Sequence, residues 1–500
     1  MSIGQKQKLL ETASFGERIA EDEVRELADY FVETDQWRRL SSGEADIVYG
    51  PKGAGKSALY SLLVQRSDQL FDQGILLVTA ENPSGTPAFR DVADDPPPSE
   101  TEFVGLWKAY FLSLVAAILQ DYGVETVQAR RVYDYLKEAG LPHGKATLSA
   151  RLRAVREFVI RVSPNTVEGG VILDPAGAPV GVTGKITLRE PSGKLRAEGF
   201  LSLDELLADA NCALGELDFH VWLLLDRLDV AFLQHEDLEK NALRALFKAY
   251  LDIKPLDQIA LKIFLRTDIW ERITEEGFRE ASHITASITI TWDDQSLMQL
   301  MLRRVLRSEE IAQYYRVDPE TVFASVAEQE ALLHRIVPDQ VDRGKAPKTF
   351  DWMRTRTQDG SRQTAPRELI HLLTSLRESE LKRLEVGHGE PDDETLFDRQ
   401  AFKDALREVS EVRLKQTMYS EYPEDRPFIE AMQGAKAQQT PASLAGVWNI
   451  DAPKARTIAE RLVQLGFFEK RGTRDEPIYW VPFLYRDALG LIQGEAKTDS

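Results

Sequence analysis

The sequence predicts an α/β protein. A parallel sheet with helices on both faces is followed by a helical region and a small C-terminal module. Three observations carry this reading. Apolar runs at residues 45–49, 74–80, 219–226 and 259–266 alternate with helical stretches, the pattern of strands buried on both faces. A glycine-rich turn lies between the first of these strands and a helix. Residues 440–485 read as helix, turn, helix and two strands.

The glycine-rich turn is Gly50-Pro51-Lys52-Gly53-Ala54-Gly55-Lys56-Ser57-Ala58, which fits G-x-x-x-x-G-K-[ST] at every fixed position. Donors to a phosphate chain must approach without side chains in the way. Three glycines allow that, and the helix leading out adds unpaired N–H groups and a positive dipole end. Gly50 to Ala58 are therefore the expected nucleotide cradle of a P-loop NTPase core. Lys56 is placed for the β- and γ-phosphates of ATP, and the Ser57 hydroxyl for Mg²⁺.

The strand at residues 219–226 ends in Asp226, the second expected Mg²⁺ ligand. A hydrolase also needs an acid to orient water. Arg227 occupies the next position, where many related ATPases carry that acid, so Asp229 becomes the candidate, with Glu368 or an acid of the insert as fallback. The strand at 259–266 ends in Arg266 followed by Thr267. This pair is the expected sensor of the γ-phosphate, the alternative being Arg266 paired with a nearby acid. Arg367, in the first turn of a helix opened by Pro366, is placed to reach the phosphates from a helical lid. Arg303 and Arg304 read as an exposed, salt-bridged pair in preference to an arginine finger.

Five hundred residues exceed what one core serves. The expected organisation is an N-terminal helical segment at 1–40, with Phe15, Ile19, Val24, Leu27, Tyr30 and Phe31 on one face. An ATPase core at 41–285 carries a helical and β insert at about 82–215. A helical lid at 286–384, a linker and helix at 385–425, and a winged helix at 426–500 complete it. Within the insert, residues 166–194 read as a β-hairpin excursion or a surface loop. Residues 103–119 are apolar but contain Lys108 and fall slightly short of the about 20 residues of a span, so they read as a buried helix, with no membrane partner.

Hydrophobic residues make up 43% and charged residues 29%, an ordinary globular balance. A net charge of −19 argues against non-specific coating of nucleic acid while leaving room for a local basic patch. Cys212 is the only cysteine, so no internal disulfide forms, which fits the cytoplasm. No apolar segment of signal-peptide type follows Met1, and the seven scattered histidines form no zinc pattern.

In the last module Asp451 caps the second helix, Pro453 lies in its first turn, and the loop 471–477 forms the wing. Lys454, Arg456, Arg461, Lys470, Arg471 and Arg474 are candidate DNA-phosphate contacts. Asp451, Glu460, Glu469, Asp475 and Glu476 dilute that patch, and a protein-docking role stands beside DNA contact.

These two motifs together resemble the STAND and origin-recognition branch of P-loop ATPases. Residues 224–229 resemble the L-L-D-G-L-D-E run of NACHT-type STAND ATPases, with Arg227 in place of the glycine and Val230 in place of the final acid. They are also similar to the D-D-L-D-R run of KAP ATPases. Residues 15–21 with 46–60 resemble a group of bacterial P-loop ATPases associated with defence-type gene neighbourhoods. The STAND resemblance implies a nucleotide-gated switch that forms a homo-oligomer when triggered and works with a separately encoded effector or other protein partner. The origin-type resemblance implies a DNA-associated ATPase of the initiator or transposition-helper kind. A non-hydrolysing nucleotide-binding scaffold is the third reading.

Overall fold

The structure, a computed structural model, describes residues 3–16, 23, 26–80, 100–141, 148–161, 185–188, 190–228, 236–275, 277–388 and 394–496. By its contacts the chain divides into two compact units. One comprises Asp35–Pro51 and Lys56–Ile290, the other Met1–Thr34, Lys52–Gly55 and Thr291–Ser500.

The first unit holds the sheet. Its described strands are β1 (Ile47–Gly50), β2 (Ile75–Thr79), β3 (Ile186–Thr187), β4 (Leu201–Ser202), β5 (His220–Leu225), β6 (Ile259–Arg266) and β7 (Ser287–Thr289). Five of them form one sheet in the order β2-β5-β6-β1-β7, and every pairing is parallel. Helices cover both faces. The period-two alternation of a strand decides which side chain meets which layer. Ile47, Tyr49, Val221, Leu223, Leu225, Leu261, Ile263 and Leu265 join one core with the helices Glu100–Asp121, Leu203–Gly215 and Glu236–Ile253. Their neighbours Val48, Leu224 and Phe264 are buried outside that core. On their side Tyr60 of the helix Lys56–Gln65 meets Phe264 edge-on at 5.8 Å.

The helix Glu102–Asp121 is long and apolar enough to cross a membrane, yet 78% of its most apolar window is buried inside the protein. Trp107 is fully buried and donates from Nε1 to the Ala242 carbonyl at 2.8 Å. Lys108, the charge inside this run, reaches Asp204 at 2.7 Å and Asp252 at 2.6 Å. A core helix of the sheet unit is thus what its composition encodes. In the 166–194 stretch only 185–188 and 190–194 are described. There β3 pairs in parallel with β4, and Val171 to Leu173, the other half of the expected hairpin, lie outside the described residues.

The second unit is mainly helical. The helices Asp294–Leu306, Val326–Ile336, Pro366–Glu385 and Arg399–Arg413 share one apolar cluster with the C-terminal elements, from Leu297 through Leu489. The N-terminal stretch is not one amphipathic helix. Ile3–Thr12 and Leu27–Tyr30 are separate helices of this unit, and Asp35–Ser41 belongs to the other. Phe15, Leu27 and Tyr30 are buried, whereas Ile19 and Val24 lie outside the described residues.

At the C-terminal end, Thr440 caps the helix Pro441–Trp448 through a reciprocal box with Ser443, and Asn449 ends it in the left-handed conformation. Asp451 then caps Ala452–Gln464, its side chain accepting from the Lys454 amide at 2.8 Å. The strands β8 (Lys436–Gln439), β9 (Glu469–Gly472), β10 (Pro477–Trp480) and β11 (Ile492–Glu495) form a sheet in the order β11-β8-β10-β9. The pair β9–β10 is antiparallel and closes over residues 473–476.

Candidate functional site

β1 delivers the glycine-rich turn. All four of its residues are buried, so Gly50 leaves a fixed sheet, and the next helix begins at Lys56. Gly53 and Gly55 have φ of +79° and +105°. Side-chain-bearing residues avoid these values, so the loop shape itself requires glycine at both positions. Lys56 Nζ donates to the Gly50 carbonyl at 2.8 Å and the Pro51 carbonyl at 3.0 Å, which wraps the lysine over its own loop.

Asp226 follows β5, one strand removed from β1, with β6 between them. It is 5% exposed, and its Oδ2 accepts from the Ser57 hydroxyl at 2.9 Å. Residues 169 positions apart are brought into hydrogen-bond contact by the parallel sheet. A hydroxyl and a carboxylate oxygen are the hard donors that Mg²⁺ takes. Arg227 has φ of +52°. This is the left-handed region, strained for an arginine, at the position where the resembling STAND run carries glycine. Asp229 lies outside the described residues.

β6 ends between these two elements, Gly50 pairing with Arg266 in the parallel register. Arg266 donates from Nε and Nη2 to the two carboxylate oxygens of Asp268, at 3.0 and 2.8 Å. Burial would push the Asp268 carboxyl up, but Arg266, the residue's own backbone amide and Arg272 outweigh it and hold the group below the usual carboxylate range. Thr267 differs: its hydroxyl oxygen is buried and has no hydrogen-bond partner among the described residues. A buried hydroxyl without a partner forfeits solvation, a cost that a ligand oxygen can remove.

The tip of the loop, Lys52–Gly55, belongs by its contacts to the helical unit. A Cβ on Gly53 would meet the Arg367 Cβ at 3.0 Å and the Ala365 Cβ at 3.4 Å, so within this unit the start of Pro366–Glu385 lies against Gly53. Trp292 Nε1 donates to the Ala54 carbonyl at 2.8 Å. Lys52 pairs with Glu421. Sequence reasoning missed Trp292, for which no motif stands in the sequence. It also missed Lys262, a lone lysine in an otherwise apolar strand. Lys262 is 1% exposed and donates to the Ala45 carbonyl at 2.8 Å and to Asp46 at 3.0 Å, which fastens β6 to the entry of β1. Burial lowers its pKa, and Asp46 opposes that shift.

Two expectations are corrected. Arg304 is not exposed. It is 3% exposed and holds Glu23 through two bonds of 2.7 and 2.8 Å, while Arg303 lies 4.5 Å over the Phe323 ring. An arginine committed to a buried carboxylate cannot serve as a finger for another subunit. Glu368 is likewise buried and accepts from Arg413 at 2.8 Å, so it is unsuited to orienting water.

The cations of the C-terminal module are largely spent within it. Lys470 pairs with Glu460 at 2.6 Å, and Arg461 with Asp425 at 2.9 Å and with Glu424. Arg471 grips Glu469 at 2.7 and 2.9 Å and lies 4.1 Å over Trp480. Burial would raise the Glu469 carboxyl, but Arg471 and Arg362 outweigh it and hold it low. Arg456 donates to the Arg474 carbonyl, tying the helix Ala452–Gln464 to the loop between β9 and β10. The side chains of Lys454 and Arg474 are exposed and have no ion pair among the described residues.

No family model and no curated protein matches this chain. Among solved structures it is similar to the Walker-type ATPase PABY2304 of Pyrococcus abyssi, with a TM-score of 0.41 and 11% identity over 92% of this chain and 96% of that one. It is also similar to the ORC1 protein of Aeropyrum pernix, solved in complex with DNA, with a TM-score of 0.34 and 13% identity over 97% and 96% of the two chains. The ORC2 protein of the same organism, solved as ADPNP–ADP complexes, gives 0.40 and 13% over 91% and 88%.

Proposed function

We propose that this chain is a Mg²⁺-dependent ATP-binding and ATP-hydrolysing protein working as a nucleotide-gated switch. The observation that carries the reading is the Ser57–Asp226 contact beneath a loop whose Gly53 and Gly55 adopt glycine-only conformations. Ser57 and Asp226 would hold the magnesium ion. Lys56 and the backbone N–H groups of residues 53–58 would hold the phosphates. Bound Mg²⁺ supplies charge neutralisation at the β- and γ-phosphates. Thr267 offers its hydroxyl, which has no hydrogen-bond partner among the described residues, to the γ-phosphate. Arg367 is the proposed second source of positive charge for the phosphates. Arg266 supports this arrangement through Asp268. Asp229 is the proposed water-orienting acid. Replacing it by Asn is expected to leave Mg·ATP affinity within about threefold and lower turnover by about 10²–10³. Unchanged turnover in Asp229→Asn, measured by phosphate release, moves that role to another acid. Tight binding with no turnover in the unaltered chain establishes the scaffold reading instead.

The resemblance to defence-associated ATPases supports placing the switch in bacterial antiphage defence, in the cytoplasm, as a homo-oligomer acting on a separately encoded effector. A second reading rests on Lys454 and Arg474. Both are exposed and uncommitted on the second helix and the wing of what we read as a winged helix, a placement suited to DNA phosphates.

A further inference from the structure

The opposite end of the parallel sheet from the phosphate loop, where β2 and β5 begin side by side at Ile75 and His220, carries three aromatic rings in mutual contact. Phe71 ends the helix Ser67–Phe71, Tyr122 follows Glu100–Asp121, and Phe219 immediately precedes β5. Their centroids are 6.0 Å apart for Phe71–Tyr122, 6.1 Å for Phe71–Phe219 and 5.8 Å for Tyr122–Phe219. Phe219 leans on the core, but Phe71 stays 44% and Tyr122 48% exposed, with Leu217 beside Phe219 in sequence at 42%. Large apolar side chains gathered on a surface, in place of scattered singly, mark an interaction site.

The chain segments that carry the rings bear charge of one sign. The segments 68–74, 121–125 and 216–219 that bear the rings contain Asp68, Asp72, Asp121, Glu125, Glu216 and Asp218 and no lysine or arginine. All six acids are exposed. Glu125 is held by Arg130 at 2.9 Å and Asp121 acts on Arg151, whereas Asp68, Asp72, Glu216 and Asp218 have no ion pair among the described residues. Aromatic faces ringed by carboxylates complement a cation on an aliphatic stem. A second copy of this face would bring like charges together, and nucleic acid would be repelled.

We propose that this face docks a basic segment of a partner protein, with an arginine or lysine lying over Phe71 and Tyr122 and its charge among Asp68, Asp72, Glu216 and Asp218. This inference does not depend on the nucleotide reading. The test is fluorescence anisotropy of the full-length chain with a labelled peptide of alternating arginine and leucine. The peptide should bind, and Phe71→Ser with Tyr122→Ser should weaken it about tenfold while the thermal midpoint holds. Should the double variant melt early, Asp72→Lys with Glu216→Lys leaves the rings in place and should lose binding equally. Equal affinity of the unaltered chain and the ring variant would show generic attraction to an acidic protein and overturn the proposal. So would equal binding of a glutamate–leucine peptide. Self-association of the unaltered chain in sedimentation, abolished in the ring variant, would assign the face to a second copy.

Discussion

The phosphate loop and the C-terminal module both carry basic side chains, but the contacts described for those side chains differ. Lys56 donates to two carbonyls of its own loop, while Lys470, Arg461 and Arg471 are bound to carboxylates. A carbonyl gives way to a phosphate with a gain in charge complementarity, whereas a carboxylate gives way only by breaking an ion pair. The loop also presents backbone N–H groups, which need no side chain at all. A count of positive residues therefore overstates the module as an anion site and understates the loop.

Experiments can sharpen that contrast, and the largest effect belongs to Asp226. Asp226→Asn is expected to lower Mg·ATP affinity by about 100-fold and remove turnover, with little loss of the metal-free nucleotide affinity. Titration with and without Mg²⁺ reads this, and a metal dependence that survives the substitution would break the assignment. A smaller effect is expected at Thr267. Thr267→Val should lower kcat about tenfold. It should not reduce thermal stability, because the lost hydroxyl has no partner to strand among the described residues. A hydroxyl with a purely structural task would give the reverse pattern.

The smallest effect concerns the module. If it contacts DNA, Arg474→Ala should reduce the slope of log affinity against log salt by about 0.9. Arg471→Ala should change the slope less and instead loosen the wing, since it removes the grip on Glu469 and the contact with Trp480. Equal slope changes in the two variants would mean that the ion pair does not restrain Arg471.

Much of the sheet could be read directly. Strands β1, β2, β5 and β6 are apolar runs, broken in β6 by Lys262, because helices cover both faces of the sheet, and the glycine loop announces itself by spacing. The position of Asp226 at the end of β5 was legible because a strand-end acid is expected once the loop is known. The pairing of Arg266 with Asp268 stood only as an alternative, because the sequence does not say which way a guanidinium turns. Arg304 was misjudged for the same kind of reason. Its partner Glu23 lies 281 residues away, and a helix pattern in 294–306 gives no sign of a carboxylate arriving from the N-terminal segment. Trp292 follows the same rule: its bond to the Ala54 carbonyl spans 238 residues and obeys no local period. Contacts made by single side chains over long sequence distances are what the fold creates and the pattern does not carry.

The central claim is that residues 50–57 hold the phosphates of a nucleotide, and it is tested most directly by titrating ATP, with Mg²⁺, into the full-length chain and its Lys56→Ala variant in a calorimeter. The account predicts saturable binding by the unaltered chain and a loss of about 100-fold or more in the variant, with both melting alike without nucleotide. Equal affinity in the two proteins would contradict it.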